Sequence, residues 1–136
     1  ILDLSFNEID EIEPNAFYGM KLLNSLYLQN NKIKFISQNL FADKIGQTLN
    51  LLDLSNNFLE NIQNDTFSQF TRLTQLSLNS NKLKWLENNL FFYLNDLSIS
   101  ILDLSNNELI ELKAFQFLGL SKIQVLNLEN NNLKTI

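Results

Sequence analysis

The feature that most constrains this chain is a local pattern that occurs six times and ends each time on an asparagine. Five of the six asparagines are followed ten residues later by a phenylalanine. Self-similarity at a period of roughly 20 to 50 residues is typical of stacked units that bury their apolar faces against one another. The sequence therefore predicts a quasi-linear repeat array, an architecture that mostly serves binding. The repeated residues are Asn7, Asn31, Asn57, Asn81, Asn107 and Asn131, and Phe17, Phe41, Phe67, Phe91 and Phe117.

The spacing between successive asparagines alternates between 24 and 26 residues, so the chain also matches itself at an offset of fifty. The phrase ILDLS or LLDLS begins at residues 1, 51 and 101. The two extra residues of the longer repeats fall between Phe41 and Leu49 and between Phe91 and Ile99. Insertions of this kind are predicted to lie in loops.

Each unit reads L-x-x-L-x-L-x-x-N-x-L-x-x-L-x-x-x-x-F-x-x-L. The x-L-x-L-x stretch alternates with period two, which predicts a half-buried strand. Stacked units then form a parallel sheet with about 4.8 Å between strands, and the phenylalanine half of each unit supplies the return connection. The asparagines are predicted to form a buried amide ladder between neighbouring turns, and the phenylalanines an aromatic spine inside the convex side.

The unit resembles the leucine-rich repeat family of the typical extracellular kind, and the resemblance covers essentially the whole chain. It implies an α/β-type solenoid, a right-handed horseshoe or arc with a parallel β-sheet on the concave face and an irregular or short-helical convex side. Residues 1–136 are predicted to form one array of six repeats. Lys44 stands where the second unit should place its last apolar residue, and Ile45 is expected to take that role. Neither end shows a polar cap, so we expect an excerpt of a longer protein.

Composition excludes several kinds of chemistry. The chain has no cysteine and no histidine, which removes thiol nucleophiles, Ser-His-Asp triads, disulfides and the usual zinc ligands. A net charge of −5 argues against nucleic-acid binding, and no apolar run is long enough to span a membrane. We expect no enzyme activity, cofactor or metal in this segment. Three glycines and one proline indicate that asparagine supplies much of the turn chemistry.

Side chains that alternate with the strand leucines should face outward on the concave sheet, where proteins of this family most often bind partners. Tyr27 is the obvious anchor, because aromatic residues concentrate binding energy at interfaces. The alternative is that the aspartates of the LDLS phrases are simply common strand residues of such repeats and do not bind a partner. The candidate concave residues are Asp3, Tyr27, Gln29, Asp53, Ser77, Asn79, Asp103, Asn127 and Glu129.

Charges just after each asparagine alternate between repeats. The simplest interpretation is a ladder of opposite charges between neighbouring repeats. The alternative is a charged flank for ligand recognition, in which Phe35 and Trp85, at equivalent positions fifty residues apart, serve as anchors. The charged residues are Glu8, Asp10 and Glu11, then Lys32 and Lys34, Glu60, Lys82 and Lys84, Glu108 and Glu111, and Lys134.

Asn64-Asp65-Thr66 is the single N-glycosylation sequon of the chain, and Asn64 is a candidate glycosylation site away from the strands. Together with the resemblance, these features lead us to expect an extracellular segment that binds a protein ligand or co-receptor, similar to Toll-like receptors and other innate-immune repeat proteins. The alternatives are a cell-adhesion or matrix protein and an intracellular adaptor or regulatory subunit. The sequence predicts no particular oligomeric state.

Overall fold

Six short parallel strands form one sheet whose order follows the chain in the computed structural model, which describes residues 1–42, 45–94 and 99–136. Neighbouring strands pair in register, so that Leu26 lies beside Leu52 and Leu52 beside Leu76. The predicted parallel solenoid is therefore confirmed. The strands are β1 (Leu2–Asp3), β2 (Ser25–Tyr27), β3 (Leu51–Asp53), β4 (Gln75–Ser77), β5 (Ile101–Asp103) and β6 (Val125–Asn127).

The strands bury one face because leucine occupies every second position. In the third repeat Leu52 and Leu54 are fully buried, whereas Asp53 between them is half-buried on the opposite face. The same holds in the second, fourth and fifth repeats. The inward leucines of successive repeats consequently stack into a continuous apolar stripe behind the sheet, which is where a solenoid keeps its core.

The recurring asparagines form the predicted amide ladder. Asn57 Nδ2 donates to the carbonyl of Leu28 in the preceding repeat at 3.0 Å and to that of Leu54 in its own repeat at 3.1 Å. Its Oδ1 accepts a hydrogen bond from the backbone N–H of Ile33 at 3.0 Å. Asn31, Asn81, Asn107 and Asn131 repeat this arrangement. Each side chain thereby joins two neighbouring turns.

The residue before each of these asparagines has a left-handed backbone. Left-handed φ angles are costly for most residues but tolerated by asparagine, whose short polar side chain bonds locally. The chain uses asparagine at four of the six positions, as its low glycine content led us to expect, and serine and phenylalanine at the other two. The φ angles are 55° at Phe6, 58° at Asn30, 52° at Asn56, 56° at Ser80, 54° at Asn106 and 54° at Asn130.

Phenylalanine rings fill the side opposite the sheet, although not as the single column that the sequence predicts. Phe41, Phe67 and Phe91 are fully buried, and Phe67 stacks with Phe91 at 6.5 Å between centroids. Phe70 lies between two of these rings, 4.9 Å from Phe41 and 5.9 Å from Phe67. Phe117 stacks on Phe91 at 6.1 Å but is only partly buried. The third repeat supplies two rings, because phenylalanine replaces an aliphatic residue at its last apolar position.

The return segments are irregular, with short helical turns as predicted. The first insertion was predicted to be a loop, but the structure contains a one-turn helix α1 (Ile45–Thr48) there, and 3-10 turns span Asn64–Phe67 and Phe92–Leu94. Ile45 is 2% exposed and takes the apolar position as predicted. The helix packs tightly, since a Cβ on Gly46 would lie 2.6 Å from the Gln69 carbonyl oxygen. Lys44 and residues 95–98 of the second insertion lie outside the described residues.

Candidate binding surfaces

The outward residues of the strands form straight columns across the sheet. The pairing places Asp3 beside Tyr27, Tyr27 beside Asp53, and so on to the sixth strand. Every member of this column is exposed or half-buried. The alternation of leucine with polar residues therefore positions one continuous row of polar side chains. The column consists of Asp3, Tyr27, Asp53, Ser77, Asp103 and Asn127.

The acidic members of this column also have a backbone role that the sequence analysis missed. Asp53 Oδ1 accepts the N–H of Ser55 at 2.9 Å, and Asp103 Oδ1 accepts that of Ser105 at 2.9 Å. Asn127 Oδ1 accepts the N–H of Glu129 at 3.0 Å in the same way. These bonds are Asx-type turns, which close the ends of β3, β5 and β6. A signal was present in the sequence, because Asp or Asn is followed two residues later by Ser or Glu in each of these repeats.

Asp3 makes the most complete version of this turn. Its Oδ1 accepts both the hydroxyl of Ser5 at 2.6 Å and the backbone N–H of Ser5 at 3.0 Å. The side-chain bond first, and the backbone bond second, hold the pKa of the Asp3 carboxyl below its ordinary value. Hydrogen bonds to a carboxylate favour its charged form, so this end of the column carries a negative charge.

Tyr27 and Gln29 are the two largest side chains near the centre of the N-terminal half of this face. Tyr27 is half-buried between the aspartate neighbours Asp3 and Asp53. Gln29 Oε1 is buried and has no hydrogen-bond partner among the described residues. A buried acceptor without a partner is unfavourable, and this oxygen exposes almost no surface that a ligand could contact. In the same outer rows, Ser77 and Asn79 are half-buried and Glu129 is exposed.

The residues after the asparagines form a second surface along one edge of the array. We call it the charged flank and define it as the first, third and fourth positions after each of the six asparagines. Phe35 and Trp85 lie on it and are 49% and 47% exposed, so neither ring is covered by local packing. Of the flank residues, Glu108 is half-buried and the others are exposed.

The predicted ladder of opposite charges is wrong for most of the flank. Lys32 Nζ lies 3.6 Å from Glu8 Oε1, and this is the single inter-repeat ion pair among residues 1–42, 45–94 and 99–136. Lys82 Nζ instead lies 4.7 Å from the centre of the Phe58 ring, a cation–π contact with the preceding repeat. Exposed pairs of long side chains gain little in water, and Phe58 occupies the position where the third repeat would need a carboxylate.

The sequon lies on the opposite side of the repeats from the sheet. Asn64 begins the 3-10 turn Asn64–Phe67 and is partly exposed, whereas Thr66 is fully buried. A glycan on Asn64 would leave the outward face of the sheet uncovered. Within the described part of the chain, no three acidic residues come close enough together to hold a metal ion. The described helices are all too short to cross a membrane.

The comparison with known families agrees with this geometry. A sequence model of the family described as Leucine rich repeat matches residues 1–43, 47–99 and 98–136. The three matched segments together extend over nearly the whole chain. No curated protein sequence matches the chain significantly.

Proposed function

Because this chain belongs to the leucine rich repeat family, we propose that it binds a protein partner through the outward face of its sheet. Repeats of this family generally serve protein binding. We choose the outward face of the sheet because its six strands pair in unbroken register, which aligns the outward side chains into columns. Five intervals of about 4.8 Å give a rigid surface about 24 Å long, a suitable size for a protein partner.

The chemistry of the columns supports a partner that offers hydrogen-bond donors and cations. Asp53 and Asp103 each use one carboxylate oxygen in an Asx turn, so the second oxygen remains for a partner. Gln29 adds a half-buried polar side chain close to Tyr27. Tyr27 supplies the aromatic area that concentrates energy at interfaces. We therefore assign the binding site to Tyr27 and the acceptors around it.

We further propose that the segment is extracellular and belongs to a receptor or secreted recognition protein similar to Toll-like receptors. The sequon at Asn64, on the side away from the sheet, supports this location. A cell-adhesion or matrix protein and an intracellular adaptor are the alternatives. Secretion of the full-length protein followed by glycosidase treatment tests the proposal. We expect a mass shift that Asn64→Gln reduces by one glycan, and an unglycosylated protein retained in the cytosol would contradict the proposal.

The binding face is tested by a triple variant, Tyr27→Ala with Asp53→Asn and Asp103→Asn. Asparagine keeps the Oδ1 acceptor of the Asx turn, as Asn127 does in the sixth repeat, while removing the charge. We expect the partner captured by the full-length protein to bind at least about tenfold more weakly, and the thermal midpoint to change little.

The matched control for this variant replaces Gln63, Asn64 and Gln69 by alanine on the opposite side of the repeats. These three side chains are exposed or half-buried and do not belong to the sheet. Titration of both variants against the same partner decides the question. Unchanged affinity in the triple variant, or loss in the control alone, would show that the sheet face is not the binding site.

A further inference from the structure

The charged flank has nearly balanced charge, which decides what kind of partner it fits. It carries six acidic residues and five lysines, the set named in the sequence analysis. A surface with this balance does not suit a polyanion, which needs an excess of lysine and arginine. Intrachain ion pairs in the described ranges use three of these charges, since Lys32 pairs with Glu8 and Glu111 pairs with Lys113. Both pairs are exposed to solvent, so they contribute little and leave the alternation available to an external partner.

The order of the charges is self-complementary. Repeats one, three and five carry acidic residues on the flank, and repeats two, four and six carry lysines. If two copies face each other in opposite directions about a twofold axis, repeat one meets repeat six, two meets five, and three meets four. Every odd repeat then faces an even one, and three pairs of opposite charge result, one at the first position and two at the third. Twofold interfaces are isologous, so each such contact occurs twice.

We propose that the charged flank is the interface with a second copy of this chain, related by a twofold axis between the third and fourth repeats. Lys32 then lies opposite Glu108 of the second copy, and Glu60 opposite Lys84 of the second copy. Asp10 lies opposite Lys134 of the second copy. No like charges face each other at the first, third or fourth positions in this arrangement.

The arc-shaped stack permits this contact over its full length. In this arrangement the twofold axis points along a radius of the arc, through its middle. Rotation about this axis gives the second copy the same curvature as the first, so equivalent positions of the repeats lie opposite each other along the whole interface. Neighbouring strands have the same spacing of about 4.8 Å in both copies, so the pairs remain in step. The arrangement therefore needs no deformation of either array.

The exposed apolar side chains of the flank add buried area between the charged pairs. Phe58 lies opposite Lys82 of the second copy, which repeats the cation–π contact already made within one chain at 4.7 Å. Ile110 lies opposite the aliphatic stem of Lys34 of the second copy. Phe58 and Ile110 are 41% and 47% exposed in the single chain. Aromatic and aliphatic side chains in a polar surface are typical of interfaces.

The charges also exclude the adjacent registers. A shift by one repeat in either direction brings odd repeats opposite odd repeats and even opposite even. In one such register Lys32 faces Lys82 of the second copy and Glu8 faces Glu108 of the second copy. Like charges in contact disfavour a wrong arrangement and so provide specificity.

A charge exchange tests the pairing in the full-length protein by sedimentation equilibrium. We expect the wild type to dimerise at micromolar concentrations, and Lys32→Glu to weaken dimerisation about tenfold, because two pairs become repulsive. The double variant Lys32→Glu with Glu108→Lys should restore wild-type affinity. These two positions are three repeats, about 14 Å, apart within one chain, so the rescue cannot arise inside a monomer.

Lys122→Glu is the matched control, since Lys122 is exposed off the flank and its replacement changes the net charge equally. It should leave dimerisation unchanged. A monomeric wild type, absence of rescue in the double variant, or equal weakening by Lys122→Glu would each overturn the proposal.

Cross-linking tests the position of the axis independently. Residues 1–136 contain no cysteine, so each introduced cysteine is the single thiol within them. Asn61 lies in the repeat beside the axis, and its two copies are about 5 Å apart along the stack, whereas the copies of Glu11 are about 24 Å apart. A short bis-maleimide should therefore cross-link Asn61→Cys and not Glu11→Cys. Equal cross-linking at both positions, or at Glu11→Cys alone, would exclude the proposed axis.

Discussion

At the residue scale, the repeated asparagine is the side chain that joins one turn of the array to the next. Asn57 donates to the carbonyls of Leu28 and Leu54, which it shares with Asn31 and Asn81, and it accepts the buried N–H of Ile33. No other small side chain offers a donor pair and an acceptor in this geometry. Among the described residues, Asn7 has no repeat before it and bonds to the carbonyls of Leu4 and Ser5 in its own turn.

This difference predicts unequal costs for the same substitution. We expect Asn57→Ala to lower the free energy of unfolding by about 1 to 3 kcal/mol, since it leaves the buried N–H of Ile33 unpaired and removes one donor from the carbonyls of Leu28 and Leu54. Asn7→Ala should cost no more than about 0.5 kcal/mol, because its site is exposed. Urea melts of the two variants provide the measurement. Equal losses would show that the bonds across repeats contribute little.

Phe6 is the one aromatic residue among the six left-handed positions that precede the asparagines. Its φ is 55° and its side chain is 77% exposed, so strain is not offset by burial. We expect Phe6→Asn to raise the free energy of unfolding by about 1 kcal/mol. The reverse change at the equivalent position, Asn56→Phe, should lower it by a similar amount. Thermal melts that moved both variants in the same direction would contradict the strain argument.

At the element scale, no strand of this protein can be stable alone. The strands contain two or three residues each, and a parallel pair lacks the local turn that closes a hairpin. Their stability must come from contact between whole repeats. Packing between neighbouring return segments therefore contributes to stability as much as the pairing of the strands does.

Gly119 lies where two return segments approach each other closely, and Gly19 is the matched position without such a contact. Both have positive φ, 108° and 85°, but a Cβ on Gly119 would lie 1.9 Å from the Phe91 carbonyl oxygen, whereas nothing lies within 4 Å at Gly19. Gly19→Ala should cost about 1 kcal/mol through backbone strain alone. Gly119→Ala should cost at least about 3 kcal/mol, because the collision adds to that strain. Chemical denaturation of the two variants would disprove this reasoning if the losses were equal.

At the scale of the whole molecule, the array is a one-dimensional stack with a period of two repeats. Its two candidate surfaces are separate, since the outward face of the sheet and the charged flank are formed by different positions of each repeat. Partner binding and self-association can therefore occur together. A stack of this kind should also tolerate loss of whole periods.

Deletion of residues 51–100 tests that expectation. It joins Asn50 to Ile101, which is the fifty-residue equivalent of Leu51, so the leucine, asparagine and phenylalanine columns stay in register. We expect a shorter array that still unfolds cooperatively at a lower urea midpoint. Deletion of residues 51–87 is the control, because it breaks the period and should abolish the fold. Circular dichroism that showed no difference between the two deletions would contradict the periodic stack.

Sequence alone determined the fold of this protein, because each repeat carries its own periodic signals. Alternating leucines set the strands, and the spacing of Asn31, Asn57 and Asn81 set both the ladder and the parallel order. Ile45 could be assigned to the core because an apolar residue was needed near Lys44. These features are local or recur in every repeat, so no knowledge of distant contacts was required.

Tertiary structure decided the features that depend on what lies opposite a side chain. Phe70 joins the spine, with its ring centroid 4.9 Å from that of Phe41. Lys82 meets the Phe58 ring instead of a carboxylate, which only the stacking geometry could reveal. Asp53 closes its own strand, and the first insertion coils into α1 against the Gln69 backbone. A repeated pattern fixes which positions face each other, but the distances and rotamers there are set by packing.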